Sequence, residues 1–98
     1  MSDVTILVVE DHQILREGLQ ILLETEGFKV YTAEHGLTAL SQMESCVPDL
    51  ILSDISMPEM DGFQFYNIVR SRPEWVTVPF IFLTARGERD DVFASKKL

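Results

Sequence analysis

Residues 48–62 read Pro48-Asp49-Leu50-Ile51-Leu52-Ser53-Asp54-Ile55-Ser56-Met57-Pro58-Glu59-Met60-Asp61-Gly62. Pro48-Asp49 breaks whatever precedes it, and the apolar run at 50–52 has the form of a strand covered on both faces. Asp54 stands at the end of that strand, and Asp61 can cap a helix that starts at Gly62. Two other segments follow the same plan. Glu10-Asp11 follows Ile6-Leu7-Val8-Val9, and Thr84 follows Phe80-Ile81-Phe82-Leu83. In an open parallel sheet, ligands bind at the carboxyl ends of the strands. Three carboxylates and a hydroxyl are thereby directed to one crevice.

Outward from this stretch the pattern alternates short apolar runs with amphipathic ones. Thr5 to Val9 is a strand, and Asp11 can cap a helix from about His12 to Glu26 that stops at Gly27. Leu15, Leu19, Leu22 and Leu23 fall at helical spacing and predict its buried stripe. The mixed segment 28–32 suits an edge strand. Gly36 to about Glu44 predicts a short helix with Leu37, Leu40 and Met43 turned inward or partly so. A third helix, Gly62 to about Ser71, is expected to bury Phe65, Tyr66 and Val69. After the Pro73–Pro79 loop, Phe80 to Leu83 is the fourth strand, and Glu88 to Leu98 opens a fourth helix with Val92 and Phe93 as its apolar residues. Crossovers this short between apolar strands imply an α/β fold with a doubly wound parallel sheet.

With 98 residues, 46% hydrophobic and 24% charged, the chain has the composition of one globular domain. A net charge of −8 argues against direct nucleic-acid contact, which needs a basic patch. Cys46 is the single cysteine, so neither a disulfide framework nor a thiolate metal cage is available within the chain. No window approaches the length of a membrane span, and the start of the chain lacks the basic region of a signal peptide. A cytoplasmic protein without membrane contact is expected.

The strand-end residues suit a hard cation and a phosphoryl group. Mg²⁺ takes oxygen ligands and keeps several waters. Asp11 and Asp54 can bind it directly and Glu10 through a water, with a main-chain carbonyl just past Asp54 completing the protein's share. Carboxylates packed together without a cation oppose one another's ionisation, so the cluster calls for a metal or a protonated member. A bound Mg²⁺ would orient a phosphoryl group and offset its charge. Asp54 is then a candidate nucleophile, because carboxylates form acyl phosphates. Taken singly, Glu10-Asp11 can be a helix cap and Thr84 a turn residue; their joint placement on strand ends favours the site. His12 and His35 have no second ligand at useful spacing and read as surface residues. Trp75 reads as packing.

The loop from Asp54 to Gly62, with Glu10-Asp11 before it and Thr84-Ala85 after it, resembles the receiver domain of bacterial two-component response regulators over essentially the whole chain. The resemblance implies a flavodoxin-like sheet of order 2-1-3-4. It implies phosphorelay signalling in which Asp54 accepts a phosphoryl group from a sensor histidine kinase or phosphotransfer protein. Glu10 and Asp11 become the Mg²⁺ acid pair, the Ser56 carbonyl a further ligand, and Thr84 the switch hydroxyl. Ser56 and Arg86 take the positions that tune phosphate lifetime. The domain is then no enzyme beyond its own phosphorylation and autodephosphorylation.

The family pattern continues to a fifth strand, a Lys-Pro pair and a fifth helix, whereas this sequence ends at Leu98 inside the fourth helix. The reading is a C-terminally incomplete receiver domain over 1–98, lacking the family's active-site lysine and slow to accept phosphate. An uncovered fourth strand would invite pairing, so a homodimer through the fourth strand and fourth helix is expected. Three other readings compete. A haloacid-dehalogenase-type phosphatase needs a second acid two residues past the nucleophile, where Ser56 stands. A nucleotide-binding domain needs a glycine-rich loop after the first strand. A phosphorylation-independent interaction module with a vestigial acidic pocket remains as the alternative function.

Overall fold

The computed structural model describes residues 3–83. The strands are β1 (Thr5–Val9), β2 (Lys29–Ala33), β3 (Leu50–Asp54) and β4 (Phe80–Leu83), and the helices are α1 (Gln13–Thr25), α2 (Gly36–Ser45) and α3 (Gly62–Ser71). The expected helix over 88–98 lies outside the described residues, as do Thr84 and Arg86. All strand pairs are parallel, in the order β2-β1-β3-β4. This is the doubly wound, flavodoxin-like arrangement, and the mixed segment around residue 30 does form an edge strand.

Side chains alternate across a strand, and the core divides accordingly. Leu7, Val9 and Ile51 join Ala39 and Met43 of α2 and Phe65 and Val69 of α3 in one buried cluster. Trp75 and Val78 from the loop after α3 close it. Trp75 is fully enclosed, with the Arg72 guanidinium 4.1 Å from its ring centroid. Between α3 and β4, the rings of Phe63, Tyr66, Phe80 and Phe82 stack at tilted or edge-on angles.

The other face differs from the sequence expectation. Ile6 and Val8 are buried there and α1 packs over β1 and β2, yet no residue of α1 is itself buried. Leu19 and Leu23 are half-buried, whereas Leu15 and Leu22 of the predicted stripe are exposed, Leu22 at 57%. Among the described elements no second helix packs against α1, so one flank of its stripe stays open. In α2 the inward set is Gly36, Ala39 and Met43, with Leu40 partly buried, while Leu37 faces out. Tyr66 is half-buried rather than buried.

The caps also differ in one respect. Asp61 caps α3 as expected, in a reciprocal box: Gln64 N donates to Asp61 Oδ1 at 2.9 Å and Asp61 N to Gln64 Oε1 at 2.9 Å. For α1 the cap is His12, not Asp11; its Nδ1 accepts from Leu15 N at 3.4 Å. His35 caps α2 in the same way, accepting from Thr38 N at 3.3 Å. The helix starts one residue later than expected.

Candidate functional site

Register sets the site. Val9 of β1 lies beside Ser53 of β3, so Glu10-Asp11 and Asp54 emerge together at the carboxyl end of two adjoining central strands. One carboxylate oxygen from each lies within 4.8 Å of those from the other two. Glu10 is 0% exposed and Asp54 3%, while Asp11 is exposed. Two buried carboxylates and a third at the rim form a costly cluster of like charge, which a divalent cation offsets. The donor set fits Mg²⁺: all-oxygen, with a spread that one ion and its waters can bridge.

The surrounding backbone holds these groups. Glu10 N donates to Ala33 O at 3.0 Å and ties the end of β1 to β2. The Glu10 carboxylate accepts from His12 N at 3.0 Å, and Asp54 Oδ1 accepts from Ile55 N at 2.8 Å. Gly62 N donates to Ile55 O at 2.7 Å, bringing the start of α3 against the back of Asp54. A Cβ on Gly62 would collide with the Asp54 carbonyl oxygen, so only glycine permits this approach. The loop between them turns at Glu59, whose φ of 70° is a left-handed conformation. Opposite, Met60 packs against Gly36 at the start of α2, where a side chain would meet its sulfur at 2.7 Å.

Of the sequence-predicted site residues, Glu10, Asp11 and Asp54 converge. Ser56 follows in the loop as an exposed residue. Asp54 pairs in register with Leu83, the residue before Thr84 in sequence, and Thr84 itself is outside the described residues. One contributor was missed in the sequence. Arg16, in the first turn of α1, donates from Nη1 to Glu10 O at 2.9 Å and to Asp11 O at 3.5 Å. Its signal was its position: a cation near a helix N-terminus opposes the helix dipole, so a lone arginine there suggests a specific partner.

A family model of the response regulator receiver domain matches residues 6–98. A 14.6 kDa protein from the sodA1 3' region of Leptolyngbya boryana is 42% identical over 91 residues, 93% of this chain and 70% of that protein. The transcriptional regulatory protein KdpE of Escherichia coli is 38% identical over 90 residues, which cover 92% of this chain and 39% of KdpE. The chain thus spans about two-fifths of the length of that curated relative. Among solved structures, a response regulator from Chloroflexus aurantiacus matches with a TM-score of 0.88 at 31% identity, covering 98% of this chain and 79% of that one. The receiver domain of a Pseudomonas aeruginosa sensor histidine kinase, solved with a magnesium ion in its active site cleft, matches with a TM-score of 0.82 at 28% identity, covering 95% and 79%. The chain belongs to the response regulator receiver domain family. It is accordingly a two-component signalling domain, a regulatory module.

Proposed function

We propose that residues 1–98 act as one receiver unit in which Asp54 is the phosphoacceptor. The observation that carries this is the convergence of Glu10, Asp11 and Asp54 within 4.8 Å at paired strand ends. A carboxylate oxygen of Asp54 attacks phosphorus and forms the new O–P bond. The N–P bond of a phosphohistidine on the kinase or phosphotransfer protein breaks, and the departing imidazole keeps the electron pair and takes up a proton. Hydrolysis of the acyl phosphate in the same pocket returns the free carboxylate. Glu10, Asp11, Asp54 and the Ser56 main-chain carbonyl would hold Mg²⁺, which supplies charge neutralisation for the incoming phosphoryl group. Glu10 and Asp11 keep acidic oxygens on one side of Asp54, and Thr84, next after the Asp54-paired Leu83, is assigned as the switch hydroxyl.

Phosphorelay function is favoured over a vestigial interaction module, because the three acids have kept a metal-ligating arrangement. The test is Mg²⁺-dependent labelling of the chain by a small-molecule phosphodonor such as acetyl phosphate. Label on the wild type and its loss in Asp54→Asn is the expected result; equal labelling of both would remove Asp54 from the mechanism.

We propose a setting and an assembly for the domain as well. The protein acts in the cytoplasm, away from membranes, and this domain makes no direct nucleic-acid contact, in line with its net charge of −8. No described helix is long and apolar enough to cross a membrane. Self-association through β4 and the fourth helix expected from the sequence over 88–98 is supported by the place of β4 at one edge of the described sheet and by its exposed Ile81. Light scattering that finds a monodisperse monomer at micromolar concentration would remove the homodimer.

A further inference from the structure

We infer that Arg16 is a positioning residue for the metal site, clamping the β1–α1 turn so that Glu10 and Asp11 face Asp54 together. The inference rests on the metal reading proposed above and adds a residue to it. The turn has an unusual task. Consecutive residues must send one carboxylate into a fully buried position and the next to the exposed rim, each with an oxygen within 4.8 Å of an Asp54 oxygen. The amide side of the turn is held by Glu10 N to Ala33 O and by His12 N to the Glu10 carboxylate, each at 3.0 Å. The carbonyl side is held by Arg16, through a 2.9 Å bond to Glu10 O and a longer one of 3.5 Å to Asp11 O.

Arg16 is itself fixed by α1, since Arg16 N donates to His12 O at 2.9 Å. The guanidinium therefore ties both acids to a rigid helix rather than to another loop. Both bonds run from one nitrogen, Nη1, at the end of a planar guanidinium, and a lysine ammonium retains the charge on a flexible side chain one atom shorter, without that reach. Groups that orient metal ligands from behind commonly change metal affinity about 10- to 100-fold when removed.

Sign separates this role from simple electrostatics. Arg16 is a positive charge beside a site for a cation, so if charge alone mattered, removing it would tighten Mg²⁺ binding. If the clamp matters, removing it weakens binding. A residue serving stability alone would leave the affinity unchanged. The guanidinium also borders an open cleft of about 280 Å³ with Thr32, Ala33, Glu34 and Thr38, so its truncation leaves no sealed void.

The experiment is Mg²⁺ titration of the full chain followed by the backbone amide shifts of residues 54–57, for wild type, Arg16→Met and Arg16→Lys. The dispersion of the same spectra reports folding. About a 10-fold or greater weakening is expected in Arg16→Met, with Arg16→Lys weakened as well. Unchanged or tighter binding in a folded Arg16→Met would overturn the inference, as would wild-type affinity in Arg16→Lys. The lysine variant decides alone if the methionine variant does not fold. A wild-type spectrum unmoved by Mg²⁺ removes the metal reading and this inference together, an outcome distinct from wild-type binding that the Arg16 variants leave unchanged.

Discussion

The two faces of the sheet carry helices of similar design and unlike fate. On one face, α2 and α3 bury Ala39, Met43, Phe65 and Val69 completely or nearly so, and the loop after α3 adds Trp75 and Val78. On the other, α1 has a clear amphipathic pattern but buries no residue, with Ile14 76% and Ile21 65% exposed. Apolar spacing in a helix thus states what the helix can bury, and its neighbours decide what it does bury. Among the described residues the α2–α3 face holds most of the core, and α1 serves the site through its first turn.

The largest test of that contrast is a pair of truncations. Phe65→Ala should cost about 3–5 kcal/mol, since a fully enclosed ring leaves a cavity. Leu22→Ala on the open flank of α1 should cost under about 1 kcal/mol. Urea unfolding of both variants is the measurement, and equal costs would erase the distinction between the faces.

Glycine provides a sharper version with opposite signs. Gly62→Ala drives a methyl group into the Asp54 carbonyl and should destabilise by about 1–3 kcal/mol. Gly18→Ala, inside α1 with nothing within 4 Å of the new methyl, should stabilise by up to about 1 kcal/mol through helix propensity. Thermal unfolding distinguishes them by direction alone.

The smallest effect is a pH dependence on the α2–α3 side. A backbone hydrogen bond and the Arg72 guanidinium, with Nη2 2.6 Å from Glu74 Oε2, hold the Glu74 carboxyl below its ordinary value. Arg72 also reaches Glu44 of α2 at 3.1 Å. A depressed carboxylate lends stability above its unfolded pKa and loses it as pH falls through the folded one. Glu74→Gln should therefore lower stability slightly at neutral pH, leave it unchanged at the acid end, and so flatten the acid limb. Urea midpoints collected across the acid range would show it; an unaltered acid limb would assign the pH dependence to other groups.

Much of the fold and of the site is legible in the sequence. The apolar runs at 5–9, 50–52 and 80–83 specified strands because buried parallel strands need apolar residues on both faces. Glu10, Asp11 and Asp54 were legible as a site because strand ends in such sheets share one edge. The Asp61 cap was legible because its partner, Gln64, is three residues away. What escaped was non-local or a choice between adjacent residues. Asp11 and His12 both offer a side-chain acceptor at the start of α1. The structure gives the cap to His12, and an Asp11 carboxylate oxygen joins those of Glu10 and Asp54.

The sequence by itself determined the order of the described elements and the strand-end acids, since each follows from local residue chemistry. The tertiary structure alone decided three further matters. It set which helical stripes are covered, brought the acids within 4.8 Å of one another, and carried Arg16 back onto the carbonyls of the acid pair. These depend on distances between segments remote in sequence or folded back on themselves, which packing and strand register set and periodicity does not encode.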